Sequence, residues 1–158
     1  MNSQLFPELF QVAEIEITYR NPTPFNERII VNKSQNAYEI LIATWDIDKI
    51  ELVEQFKILL LNRLNHCLGI VNLSTGTSFG APVDPRLVFA TALKANATAL
   101  VLAHNHPTGN LSPTDDDITT TKSLIKAADF LGIAVSDHLI LSKDGFFSFR
   151  AHGLLSSK

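Results

Sequence analysis

Two histidines separated by a single residue, His104-Asn105-His106, run into a bend at Pro107-Thr108-Gly109, and three aspartates, Asp115-Asp116-Asp117, follow a few residues on. Residues two apart in extended backbone project to the same side, so both imidazoles face one way. Two imidazole nitrogens and one carboxylate brought together by the turn would make three protein ligands for Zn²⁺. Three ligands leave a fourth position for water, the arrangement of a catalytic zinc rather than a structural one. A purely structural reading of the same residues stands beside it. Ser112 or Thr114 could cap a helix, and Thr114-x-x-Asp117 has the form of a capping box with Asp in place of Glu. Aspartates in a first helical turn also suit the helix dipole without any metal. On spacing alone both readings stay open, and Asp115, Asp116 and Asp117 all compete as the third ligand.

Elements on either side must position these groups. Thr98-Ala99-Leu100-Val101-Leu102-Ala103 has the length and composition of a buried strand that delivers His104 and His106 at or just past its end. Pro107 cannot donate to a sheet and Gly109 allows a sharp bend, so the strand stops there. A helix is expected from about Asp115 to Leu131, with Ile118, Leu124, Ile125, Ala128 and Leu131 facing inward and Gly132 ending it. Upstream, Leu52 to Leu61 reads as an apolar strand carrying one carboxylate, Glu54, and Cys67 to Leu73 as the strand that returns from a turn at Asn62–Asn65. Asp84-Pro85 marks the start of a helix reaching about Ala95. Ser34 is expected to cap a helix from Gln35 to about Thr44, with Ala37, Ile40, Leu41 and Trp45 inside. Val12 to Tyr19 alternates like a half-buried strand, and Arg28 to Val31 is expected to pair as another. Ile133–Val135 and His138–Leu141 supply a further strand, which Lys143-Asp144-Gly145 turns into Phe146–Phe149. Strands and helices interleaved with at least one hairpin predict an α/β (α+β) fold: a mixed, largely antiparallel sheet with flanking helices.

The whole chain bounds the function. Its 158 residues predict one domain, with residues 1–30 as a lead-in and 31–158 as the globular part. A single cysteine, Cys67, rules out an internal disulfide and a thiolate-rich zinc site. A Cys67/His66 nucleophile is conceivable, but neighbours on a strand face opposite ways, and a small buried hydrophobe is the expected role. His66 and His152 read as ordinary surface histidines. Met1 to Glu8 shows no basic segment leading into an apolar run, and no apolar run approaches a membrane span, which predicts a cytoplasmic protein with no membrane partner. A net charge of −3 with no Lys/Arg cluster argues against a nucleic-acid-binding surface.

The site stretch resembles the JAMM signature of MPN (JAB) metalloprotease domains: His-x-His, seven residues, Ser or Thr, two residues, Asp. His104, His106, Thr114 and Asp117 keep that spacing. The longer run His104 to Gly109, with Pro113-Thr114 and Asp117-Ile118, is similar to the RadC branch, as are Glu54-Gln55-Phe56, Asp84-Pro85-Arg86, Asp137 to Ile140 and Phe149 to Leu155. The resemblance covers roughly residues 30–155. RadC-type motifs usually carry Ser where this chain has Thr108 and Thr114; the hydroxyl is kept, but β-branching narrows how it points. Larger RadC proteins have an N-terminal helix-hairpin-helix segment linked to DNA, and residues 1–33 do not read as one.

The resemblance implies an MPN/cytidine-deaminase-like fold and a zinc-dependent hydrolase of peptide or isopeptide bonds, acting on a protein or peptide substrate. It makes His104, His106 and Asp117 the metal ligands, Glu54 the general base and Thr114 the donor to the oxyanion. It selects Asp117 over Asp115 and Asp116, and Glu54 over Glu51. His138 is expected to support the ligands, with Asp137 as its partner. A non-catalytic protein- or DNA-complex binding module and a metal-dependent phosphoester hydrolase are the alternatives. The Glu54–Leu73 hairpin could form the edge of a homodimer.

Overall fold

A computed structural model describes residues 16, 18–78 and 80–156. The expected strand over 12–19 falls mostly outside them. Five strands form one sheet in the order β2-β1-β3-β4-β5, where β1 is Gln55–Leu61, β2 Cys67–Thr75, β3 Ala99–Asn105, β4 Ala134–Leu141 and β5 Phe146–Ser148. β1 pairs antiparallel with both β2 and β3, β3 runs parallel to β4, and β5 turns back antiparallel on β4. The sheet is thus mixed and largely antiparallel, as the interleaved pattern predicts.

β1 and β3 are buried along their whole length because both faces of the sheet are covered there. On one face, Phe56, Ile58, Leu60, Leu100 and Leu102 meet α2 (Pro85–Lys94) through Val88, Phe89 and Ala92, and α3 (Asp115–Phe130) through Leu124 and Ala128. On the other, Leu59, Leu61, Val101, Ala103, Leu139 and Leu141 meet α1 (Ser34–Ala43) through Ala37 and Leu41, with Trp45 and Ile50 beside them. Burying one such Leu is worth about 1.5–3 kcal/mol. Because successive side chains alternate, His104 belongs to the α2/α3 face and Asn105 to the α1 face. Among the described residues no helix is long and apolar enough to cross a membrane.

Several boundaries differ from the sequence reading, each for a local reason. β1 begins at Gln55 and not at Leu52, since residues 46–53 are taken up by turns in which Lys49 N–H donates to Asp46 and Leu52 N–H to Lys49. Glu54 therefore sits just ahead of the strand, although its backbone is still held from the β2 side, by Thr77 O at 2.9 Å and Gly76 N at 2.8 Å. The apolar piece Arg28–Val31 forms no strand. It makes a single bridge, Ile30 to His66, at the hairpin turn. Lys33, not Ser34, precedes α1 as its cap, because the Ser34 hydroxyl is drawn to Asp137 instead. Leu131 lies beyond the last turn of α3 and is exposed, while Gly132 there adopts the left-handed φ of 68° that favours glycine. α2 starts as its sequence dictates, with Asp84 accepting from Arg86 N–H and proline at the first position.

Candidate metal centre

β3, the turn after it and the first turn of α3 bring His104, His106 and Asp117 together. His104 is the last residue but one of the buried strand β3, and His106 follows one residue past its end. Sites in α/β sheets commonly lie here, at the carboxyl end of a parallel strand where the chain turns into a helix. Asp117 is the third residue of α3, and Thr114 is its N-cap in a complete capping box: Thr114 Oγ1 accepts from Asp117 N–H at 3.1 Å, and Asp117 Oδ2 accepts from Thr114 N–H at 2.7 Å. The capping reading of this turn is therefore realised, and the same Asp117 carboxylate also faces His104 and His106.

The three groups are tightly spaced. His104 Nε2 lies 3.1 Å from His106 Nε2 and 3.1 Å from Asp117 Oδ1, and His106 Nε2 is 3.4 Å from Asp117 Oδ2. They are the group of His, Cys, Asp or Glu side chains among the described residues that could hold a metal ion. Asp115 and Asp116 are exposed at the helix surface.

The neighbours decide which ring nitrogens carry protons. His106 Nδ1 is 2.6 Å from the carbonyl of Asn110, which can only accept, so Nδ1 is protonated. Thr121 Oγ1 is 2.6 Å from the Asp117 carbonyl and 2.6 Å from His138 Nδ1. Its one proton goes to the carbonyl, so His138 Nδ1–H donates to Thr121. His138 Nε2 is then the acceptor for His104 Nδ1–H at 2.8 Å. With both rings neutral, that leaves Nε2 of His104 and His106 as lone pairs aimed at each other and at a carboxylate, so a proton taken up by the cluster sits there. Phe56 stacks on His104 at 6.2 Å and Phe149 on His138 at 4.6 Å, fixing the ring planes.

The electrostatics follow from this crowding. The bond to Asp117 raises the affinity of His106 for a proton; burial opposes that, and the Asn110 carbonyl and the charges of Asp117 and Glu54 add to it. Burial pushes the Asp117 carboxyl up, but the His104 and His106 imidazoles beside it outweigh that and hold the group well below the usual carboxylate range. His138 is driven far below an ordinary histidine, first by complete burial and then by the neighbouring His104, with which a second positive charge would clash. It stays neutral.

Glu54 and Thr114 line the same cavity of about 580 Å³ as the three ligand candidates, with Ala81, Pro82 and Val83 as an apolar wall. Glu51 is elsewhere: it is exposed and paired with Lys143 at 2.8 Å. Asp137 does not partner the His138 ring. Adjacent residues face opposite ways, and its carboxylate instead accepts from Ser34, Ser148 and the backbone N–H groups of His138 and Arg150. Burial pushes the Cys67 thiol up, which fits a packing role and not a nucleophile. His66 is buried and not a surface residue, edge-on to Phe25 at 4.3 Å. Thr121 escaped the sequence reading, although it lies four residues from Asp117 and hence on the same helix face.

A mixed, helix-flanked sheet with a His-x-His…Asp cluster where its central strand meets a capped helix defines a JAB/MPN-type domain. The RadC-like JAB domain model matches residues 31–154, and the chain belongs to that family. It is 42% identical over 104 residues to a UPF0758 protein of Symbiobacterium thermophilum, covering 66% of this chain and 44% of that protein. A UPF0758 protein of Desulforamulus reducens is 35% identical over 133 residues, 84% of this chain and 57% of its own. One from Gloeothece citriformis is 44% identical over 97 residues, 61% and 40% of the respective chains. The chain spans about half the length of the curated relatives it matches.

Proposed function

We propose that the protein is a zinc-dependent hydrolase of the JAMM type that cleaves a peptide or isopeptide bond in a protein substrate. One observation carries this: three potential ligand groups, His104 Nε2, His106 Nε2 and the Asp117 carboxylate, converge within 3.1–3.4 Å of one another, and with neutral rings all three are acceptors. Such a cluster is self-repelling unless a cation or a proton sits inside it. A tetrahedral zinc with bonds of about 2.0–2.1 Å spaces its ligands about 3.3 Å apart, which the three separations match. Zinc held there would polarise a carbonyl and acidify water at the open position.

The remaining work falls to the chain. Glu54, at the cavity wall, would take the proton of the attacking water on its carboxylate and deliver it to the leaving amine nitrogen. The Thr114 hydroxyl uses a lone pair to accept from Asp117 N–H, so its own proton is free to donate to the developing oxyanion. The wall formed by Ala81, Pro82 and Val83 would take apolar substrate surface and exclude water from the reacting bond.

The test joins elemental analysis with mass-spectrometric detection of new peptide termini in a cell-protein digest, using wild type, His104→Ala/His106→Ala and Glu54→Gln. Zinc should be retained by wild type and Glu54→Gln, lost from the double variant, and cleavage confined to wild type. A wild type that takes up no zinc, or a Glu54→Gln protein that cleaves undiminished, would refute the reading.

A further inference from the structure

Between the two histidines lies Asn105, fully buried on the opposite face of β3. Its Oδ1 accepts from Gln55 N–H at 2.8 Å, and its Nδ2 donates to the carbonyls of Val53 at 2.9 Å and Ile50 at 2.7 Å. Both donors of the amide and one acceptor position are thus spent on one segment. Val53 and Gln55 flank Glu54, so Asn105 grips the peptide units on both sides of that residue. The backbone register between β1 and β3 ends at Phe56–His104, and the Asn105 side chain takes over where it ends.

We propose that Asn105 is a positioning residue for Glu54: its carboxamide locks the backbone that carries the Glu54 carboxylate to the strand that carries His104 and His106. This rests on the reading of Glu54 as the proton acceptor. With Thr77 and Gly76 holding the other side, only the side-chain torsions of Glu54 stay free. A displacement of about 1 Å between reacting groups can cost roughly 100-fold in rate, so such a lock bears directly on the chemistry. One strand then serves two purposes, metal ligation on one face and placement of the base on the other.

The full chain loaded with Co²⁺, whose visible bands report its ligands, tests this by pH titration of wild type, Glu54→Gln, Asn105→Ala and the double variant. All four should bind cobalt with equal stoichiometry. Glu54→Gln should move the pH midpoint of the band shift, Asn105→Ala should move it the same way by at least half as much, and the double variant should move it no further than Glu54→Gln. If Glu54→Gln moves the midpoint and Asn105→Ala does not, the inference is overturned while the reading of Glu54 stands. If Glu54→Gln moves nothing, both fall. Should Asn105→Ala fail to fold, hydrogen exchange on wild type decides: the Asn105 side-chain amide and the Gln55 N–H should be as protected as the middle of β1, and surface-like exchange would overturn the clamp.

Discussion

Thr114 and Asp117 hold each other at the start of α3 through two reciprocal hydrogen bonds, of 3.1 and 2.7 Å, and the same Asp117 carboxylate faces His104 and His106. Its position is therefore set by helix geometry before any ion arrives. A ligand fixed in this way loses little side-chain freedom on binding, which favours affinity. The cap and the centre share their atoms.

Thr114 accordingly carries two separable roles. Thr114→Ala should lower stability by about 1 kcal/mol through the lost cap, read from a urea denaturation midpoint. It should also slow hydrolysis by roughly 100- to 1,000-fold through the lost oxyanion donor. Thr114→Ser keeps the hydroxyl and should restore most of both. A Thr114→Ala protein as active as wild type would remove Thr114 from the reaction.

Thr121 sets the tautomer of His104 through His138. Thr121→Val keeps shape but leaves His138 Nδ1 without its partner, so His138 no longer needs to present Nε2 as an acceptor to His104. Weakened outer support of this kind typically costs 10- to 100-fold in metal affinity. Competition with a chelator should show that loss, with Thr121→Ser close to wild type. Equal affinities for Thr121→Val and wild type would break the proton chain argued above.

What was legible in the sequence follows from range. The β3–turn–α3 unit is local: apolar run, Pro/Gly bend, cap and three aspartates are consecutive, so its boundaries were readable to within a residue or two. The sheet's mixed character followed from the interleaving of strands and helices. Contacts distant in sequence were not readable. Ser34 looks like a cap because caps are local, yet its hydroxyl serves Asp137, 103 residues away. Asp137 and His138 look like partners because they are adjacent, and strand alternation separates them. Asn105 reads as a filler between two histidines, since its three partners lie at least 50 residues upstream.

Asp137 joins α1, β4 and the end of β5, accepting four hydrogen bonds of 2.6–3.0 Å while 2% exposed. Asp137→Ala would leave the His138 and Arg150 N–H groups without their acceptor, and the Ser34 and Ser148 hydroxyls, 3.2 Å apart, with only each other as acceptor. Each donor left unsatisfied and buried costs about 1–3 kcal/mol. Stability to urea should fall by several kcal/mol, while the cobalt bands of whatever remains folded should not change, because this carboxylate points away from the ligands. Altered bands would show that Asp137 orients His138 after all.

Acid should act on the metal-free protein through two histidines of opposite sign. His138 is held well below its ordinary value of 6.5 by burial, whereas the unfolded chain takes up a proton there. Its contribution is intact above about pH 6.5 and is lost as the pH falls below it, with a limiting slope of about 1.4 kcal/mol per pH unit. His106 is raised above 6.5 by its bond to Asp117, so its contribution is fully present below pH 6.5 and is lost as the pH rises through the folded value. The metal-free protein should therefore be most stable near pH 6.5 and weaken on either side. A bound cation replaces the proton shared in the cluster, and its ligands must be proton-free, so the alkaline limb should invert when zinc is present. Melting temperatures of metal-free and zinc-loaded protein between about pH 5 and 8, the range in which histidine titrates, would check this. The gap between the two should widen with rising pH. A gap that stays constant across that range would mean that zinc does not displace a proton from His106, and hence does not bind in the cluster.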